Sequence, residues 1–379
     1  MNETRIDWRP GSLTVVRGAP LHPAERLHSR QAVSPPCRLT IPLLALLGGL
    51  AGAGQAAHDG EQRVPHIYML LYRGCEDACR GFQEYFRKQH LPVRFTIRDA
   101  AQDKHRVREL VAEARALRPD LLLTWGTTAT VEAVGTLDKI DPQRHITDLP
   151  VLFMIVSHPA KVGLVRQLDH PGRNLSGTLY LLPAETQLRA ARSYLPFKRL
   201  GFISNPIEAN SQASRDELRT LAPRFGYTLV EREIPLAADG KPDAAALPAL
   251  VASLARDRVD LLYMPPDSFL NSQRDSITGS ALQQRLPVFA AAEAPVVKSQ
   301  ALFGVVNKYE DVGRFTAYRA AQILYEGKRP ADLPIELPRR FSLLINMQAA
   351  RTLQRYPPLK LLDAAELINP APPQPEPDH

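Results

Sequence analysis

From residue 66 onward the chain repeats one unit: a short apolar run rich in Val, Ile, Leu and Tyr, then a turn, then a stretch with apolar residues every three or four positions. The runs fall at 66–72, 93–97, 120–125 and 151–156, separated by helical stretches at 77–89, 103–117 and 127–137. Alternation of this kind predicts a parallel sheet with helices on both faces. The pattern restarts with runs at 199–204, 228–232, 259–264 and 287–290, again with helical stretches between them, such as 211–225 and 248–256. The expected fold class is α/β, with two doubly wound parallel-sheet lobes of similar size. Strand-like segments at 175–182 and 301–307 connect the halves, and a long amphipathic helix is expected over 309–325. If that helix returns to the first half, the chain crosses between lobes more than once and the crossings form a hinge.

This reading divides the chain into a leader at 1–57, an N-terminal lobe at 64–180 plus 305–356, a C-terminal lobe at 181–304, and a tail at 357–379. The last ten residues, PAPPQPEPDH, carry five Pro and no apolar period, which predicts an extended segment. Residues 1–29 are polar and show no apolar period of either kind. Residues 39–57 are apolar, follow Arg30 and Arg38, and end in Gly54-Gln55-Ala56-Ala57. That arrangement reads as a secretory signal peptide cleaved near Ala57, which places the mature protein in the periplasm. The apolar core at 41–53 contains Pro42 and falls short of the roughly 20 residues a spanning helix needs. Cys37 precedes that core, so it is not the lipidated cysteine of a lipoprotein.

A length of 379 residues suits two domains, each with its own core. Charge changes the picture little. Of 47 Lys+Arg and 40 Asp+Glu, six Arg and three acids lie in 1–57, leaving 41 against 37, or +4, for the rest. Mixed signs at that density lack the concentrated basic stripe a nucleic-acid binder needs, so no nucleic-acid partner is expected.

After export Cys75 and Cys79 are the remaining cysteines, in an oxidising compartment. A disulfide between them and a pair of free thiols both fit the four-residue spacing. No metal is expected, since His66 and His90 stand at no ligand spacing to the pair.

In parallel-sheet proteins chemistry gathers at the carboxyl ends of strands, where loops lead into helix N-termini. That rule selects Trp125-Gly126-Thr127-Thr128, in which Gly126 permits a tight turn and Thr127 or Thr128 caps the helix or meets a ligand carboxylate. It also selects Ser157-His158-Pro159, Asn205-Pro206 through Asn210-Ser211, and Pro265-Pro266-Asp267-Ser268. Plain N-capping accounts for each as well. Arg73, Glu293 and Asn307 are polar residues at expected strand ends, and each also fits an ordinary surface position. Signatures for nucleotide cofactors, a serine nucleophile elbow and H-E-x-x-H are absent from the sequence, so neither a cofactor nor an enzyme is expected.

The run Pro119-Asp120-Leu121-Leu122-Leu123 through Gly126-Thr127-Thr128-Ala129 resembles a segment of exported substrate-binding proteins of ABC importers, the tryptophan/tyrosine-type family with a type I periplasmic-binding fold. Matching pieces follow in order: Pro150-Val151-Leu152-Phe153 to Ser157-His158-Pro159, Pro171-Gly172-Arg173-Asn174-Leu175-Ser176-Gly177, Asn205-Pro206 with Glu208-Ala209-Asn210-Ser211, Pro265-Pro266-Asp267, and Leu324-Tyr325-Glu326-Gly327-Lys328-Arg329-Pro330. The similarity covers about 64–356. It implies two lobes closing on a small ligand, with Thr127, Thr128, Ser157, Asn205, Asn210, Ser211, Asp267 and Asn307 at or near the cleft.

Two departures stand out. The family usually has Ser-Asp-Pro where this chain has Ser157-His158-Pro159. The loop after the first strand, Tyr72-Arg73-Gly74-Cys75-Glu76-Asp77, lacks the family's His-Pro and adds an Arg. Together they suggest a preference shifted away from simple amino acids and toward anions, and tryptophan or tyrosine is not carried over as the ligand. The function expected is a monomeric periplasmic solute-binding protein delivering a small molecule to an ABC permease in the inner membrane. A ligand sensor docking on a membrane signalling receptor is the alternative. An exported enzyme using His158, Asp267 or Glu293 is a third.

Overall fold

A computed structural model describes residues 63–369 and two strands near the start of the chain. Those two, β1 (Thr4–Arg9) and β2 (Ser12–Arg17), pair antiparallel, with Ile6 opposite Val15 and Trp8 opposite Leu13. The leader therefore does carry a period-two pattern, compressed into two six-residue segments. The expected signal segment at 39–57 and the tail from 370 lie outside the described residues.

The described residues from Val64 onward form a compact unit built on two sheets. The first contains β3 (His66–Leu71), β4 (Arg94–Asp99), β5 (Leu121–Trp125), β6 (Val151–Val156) and β7 (Leu175–Leu179), in the order β4-β3-β5-β6-β7 and parallel throughout. Strands β3, β5 and β6 are buried along their whole length, which is why they read as continuous apolar runs. Helices Asp77–Lys88, Lys104–Leu117 and Thr127–Val134 form the crossovers between this lobe's first four strands.

The second sheet contains β8 (Arg199–Ser204), β9 (Thr228–Glu233), β10 (Leu261–Met264), β11 (Val288–Ala290), β12 (Phe303–Val306), β13 (Ser342–Asn346) and β14 (Ala365–Ile368). Their order is β14-β13-β12-β11-β10-β8-β9. One apolar cluster around Phe202, Tyr263, Phe289 and Phe303 fills one face, and another around Leu262, Val251 and Val288 fills the other.

The chain passes between the sheets three times: after β7, after β12 and before β13. Between the second and third passages helix Tyr309–Glu326 lies against helix Asp77–Lys88 of the first lobe. Gly81 and Gly313 allow the approach, since a Cβ on Gly313 would run into the Ala78 carbonyl and one on Gly81 into the Glu310 carbonyl. Ser176 Oγ then donates to Leu333 O at 2.7 Å, and Leu179 N to Glu336 O at 2.8 Å, which fixes the descending segment along β7.

The third passage corrects the expected boundaries. Residues 305–356 do not all belong to the first lobe. β12 lies in the second sheet, and β13 pairs antiparallel with it, Phe303 opposite Ile345. The expected tail supplies a short helix, Leu359–Leu362, and the edge strand β14. The run Ser-Leu-Leu-Ile-Asn is short, and its place depends on a non-local antiparallel partner.

Candidate functional site

The carboxyl ends of the two sheets face each other. Arg73, Gly126, Thr127, Ser157 and Tyr180 follow β3, β5, β6 and β7 of the first lobe. Asn210, Asp267, Ser268, Asn271 and Ala292 follow β8, β10 and β11 of the second. Together with Trp125, Ile155, Pro266 and Tyr309 they line a cavity of about 20 Å³, room for one or two waters. The lobes are closed on one another, with ties that include Lys298 Nζ to Asp77 Oδ2 at 2.9 Å and Lys161 Nζ to Glu217 Oε2 at 2.7 Å.

On the first-lobe side, Gly126 has φ +94, a conformation that favours glycine, and a side chain there would crowd Tyr72. The turn starts helix Thr127–Val134 at the cavity edge. The far end of that helix is anchored by Arg173, whose guanidinium donates to the carbonyls of Val134, Gly135 and Leu164. Strand β6 bulges before its end, and Ile155 takes φ +56, which is strained for a β-branched residue. The bulge delivers Ser157 to the cavity. Ser157 N donates to Thr127 Oγ1 at 3.2 Å, and Ser157 Oγ lies 2.8 Å from the Tyr180 hydroxyl. Burial holds that phenol protonated, well above its ordinary range. Tyr180 and Tyr309 meet edge to face, with ring centres 5.7 Å apart.

The second-lobe wall consists of two loops stitched together. Glu208 Oε2 accepts from Ser268 N at 3.0 Å and from Asn210 Nδ2 at 3.2 Å, and Asn210 Nδ2 also donates to Pro266 O. Asp267 Oδ1 caps the short helix Ser268–Ser272 by accepting from Leu270 N at 2.7 Å. Burial, and then the nearby Glu208 charge, push the Asp267 carboxyl well above the usual carboxylate range. Asp267 Oδ2 and Asn210 Oδ1, both buried, have no hydrogen-bond partner. Neither does Trp125 Nε1.

Residues 75–366 match the model of a family described as ABC transporter substrate binding protein. The chain belongs to that family. A tyrosine-binding protein of Clostridioides difficile (strain R20291) is 30% identical over 224 residues, or 59% of this chain, and the match spans 62% of that relative's length. Among solved structures, a conserved domain protein from Vibrio cholerae aligns with a TM-score of 0.71 at 23% identity, over 81% of this chain and all of the other. A Streptococcus pneumoniae ABC domain in complex with L-Trp gives 0.69 at 21% identity, over the same shares. These two likenesses establish the two-lobed fold alone.

Members of the family bind substrate and do not transform it, which removes the exported-enzyme reading. Of the residues expected at the cleft of this substrate binding protein, Arg73, Thr127, Ser157, Asn210, Asp267 and Ser268 line the cavity. Tyr72, Thr128, His158, Asn205, Ser211, Glu293 and Asn307 are not in its wall. Tyr72 donates to Gln102 O and belongs to the first core, and Thr128 lies one residue beyond the lining Thr127. Asn205 and Ser211 close their own turn: Asn205 N donates to Ser211 Oγ at 3.0 Å, and Ile207 N to Asn205 Oδ1 at 3.1 Å. Glu293 accepts from Tyr309 N at 2.8 Å, and Asn307 Nδ2 donates to Tyr180 O at 3.0 Å, so both serve the interlobe connection.

His158 turns away from the cavity toward the second lobe, with Nδ1 3.4 Å from Glu217 Oε2. Burial pushes its pKa down to about 4, against the opposing Glu217 charge. The Asp-to-His departure therefore puts no charge in the cavity wall. Cys75 and Cys79 are joined as a disulfide, with Cα atoms 5.2 Å apart, directly after the Arg73 loop.

The sequence pattern gave no sign of Tyr180, Tyr309, Ile155 and Asn271, and it placed Trp125 and Glu208 in the selected segments without a role of their own. The strand-end rule that selected Ser157 would also have found Tyr180, had 175–182 been read as a sheet strand and not as a connector.

Proposed function

We propose that this protein is exported through its leader, is processed near Ala57, and acts in the periplasm as a single chain that captures a small solute between its lobes and hands it to an ABC permease. The observation that carries the reading is the interlobe cavity, whose wall holds two buried oxygens without partners, the acceptor Asn210 Oδ1 and Oδ2 of the protonated Asp267 carboxyl. Unpaired buried polar groups cost free energy, on the order of 1–3 kcal/mol each, and a guest with N–H or O–H groups relieves that cost. A ligand touching both lobes is favoured only in the closed form, so its binding energy appears as closure.

Contacts are proposed from Thr127, Ser157 and Tyr180 on one side and from Asn210, Asp267 and Ser268 on the other. The relatives named for tyrosine and solved with L-Trp favour an amine-bearing solute of amino-acid type. The free space of about 20 Å³ favours a guest smaller than those, unless Arg73 moves. The Cys75–Cys79 disulfide fits an oxidising compartment, and among the described residues no helix is long and apolar enough to cross a membrane.

A thermal-shift screen of the purified protein against amino acids, small amines, aromatic acids and small anions tests the reading. The expected result is concentration-dependent stabilisation by a small donor-bearing solute that is recovered unchanged. Absence of stabilisation by every class would overturn it.

A further inference from the structure

We propose that Arg73 is a built-in occupant of a cation subsite in the cleft and that, with no ligand bound, it ties the two lobes together. The proposal rests on reading the cleft as the capture site.

A guanidinium has five N–H hydrogens, and in Arg73 each has an acceptor. Nε donates to Glu76 Oε1 at 3.0 Å and Nη2 to Glu76 Oε2 at 3.1 Å. Nη1 donates to Ser268 O at 3.1 Å. With the Asn271 amide turned so that its oxygen faces the guanidinium, that oxygen accepts from Nη2 at 2.6 Å and from Nη1 at 2.9 Å. The opposite orientation would set an NH2 against N–H donors. The two bonds to Glu76 stay within the loop after β3, while the other three cross to the second lobe.

The guanidinium carbon lies over Trp125, 5.0 Å from the ring centre, and the side chain is only 9% exposed. A cation laid on an indole, with acceptors around its rim, is the arrangement that captures a free guanidinium or ammonium group. Here the chain provides the cation itself.

The anion preference suggested by an added Arg does not follow, because Arg73 has no hydrogen left to offer a guest anion. The partnerless acceptor of the second-lobe wall, Asn210 Oδ1, calls for a further donor. A guest bearing cationic N–H groups therefore competes with Arg73 for the same wall.

Arg73→Ala vacates the subsite, and methylguanidinium is the probe that refills it. Trp125 fluorescence reports the event, Trp8 being the other tryptophan of the sequence. The expected result is a saturable fluorescence change in R73A at a concentration roughly tenfold or more below that needed for wild type. Small-angle scattering of R73A without probe should give a larger radius of gyration than wild type, returning toward it when methylguanidinium is added. Equal responses of the two proteins to the probe, or no saturable response from an R73A that circular dichroism shows to be folded, would overturn the proposal. If R73A does not fold, Arg73→Lys keeps the charge and loses the five-donor fork; a ligand-free radius equal to wild type would then refute the tie, and a larger one would support it.

The two readings fail separately. A wild type that no solute stabilises, beside an R73A that takes up methylguanidinium, sinks the capture reading and leaves the subsite. A solute-stabilised wild type beside an R73A blind to methylguanidinium does the reverse.

Discussion

His158 Nε2 lies 3.1 Å from Ser214 Oγ, joining the loop after β6 to helix Ala209–Phe225 of the opposite lobe. Glu217 of that helix and Lys161 of the same loop are the charges that face the ring. Ser214 Oγ gives its own hydrogen to Asn210 O and so accepts from His158 Nε2–H; it is burial of the ring in the closed form that disfavours protonation and makes closure depend on pH.

Exposed, His158 would titrate near 6.5; buried in the closed form it titrates at about 4. The closed form therefore binds fewer protons between those values. Its stability is complete above pH 6.5 and declines as pH falls toward 4, by about 1 kcal/mol near pH 5.5. Scattering across pH 7.5 to 5 should show the wild type expanding, and His158→Gln should flatten that response. A wild-type radius independent of pH would count against the interlobe role.

Asp267 behaves in the opposite sense. Its carboxyl is raised above the unfolded value, so the folded protein holds a proton the unfolded chain has lost, and this contribution to stability falls as pH rises through the raised value. Asp267→Asn keeps a capping oxygen and no charge. It should unfold in urea near the wild-type midpoint at low pH, where both side chains are neutral, with a weaker decline as pH rises above the ordinary carboxylate range. Asp267→Ala loses the cap to Leu270 N and should cost about 1 kcal/mol. If Ala and Asn behave alike, the cap contributes nothing measurable.

Gly313→Ala places a methyl group against the Ala78 carbonyl where two helices touch. Overpacking at such a contact typically costs roughly 1–3 kcal/mol, so the denaturation midpoint should fall accordingly. Gly327→Ala is a poor control because of its positive φ; Gly279→Ala, inside helix Arg274–Gln283 where the methyl meets only Gln300 Oε1 at 3.9 Å, is the suitable one and should hold or slightly raise the midpoint.

The Cys75–Cys79 bridge closes a very short loop, which limits its contribution to about 2 kcal/mol. Cys75→Ser with Cys79→Ser should lower the melting temperature only modestly, and alkylation of the native, unreduced protein should find neither residue free. Labelling of either thiol in that protein would show that the bridge is absent.

Much of the fold was legible because its evidence is local. Strands β3, β5 and β6 lie between two helical layers, so burial on both faces writes an uninterrupted apolar run into the sequence, and Thr127, Ser157 and Asp267 could be located by counting to the ends of such runs. The antiparallel return of Ser342–Asn346 beside Phe303–Val306 left no such mark, since the choice between sheets depends on a partner distant in the chain. The side-chain directions of His158 and Arg73 were equally hidden. One turns to the opposite helix and the other fills the cavity because three passages of the chain bring the two sets of loops together. Sequence by itself determined the elements and their strand-end loops, through periodic burial. Only the tertiary structure decided which of those loop residues meet, because hydrogen bonds between lobes join positions whose spacing in the chain carries no period.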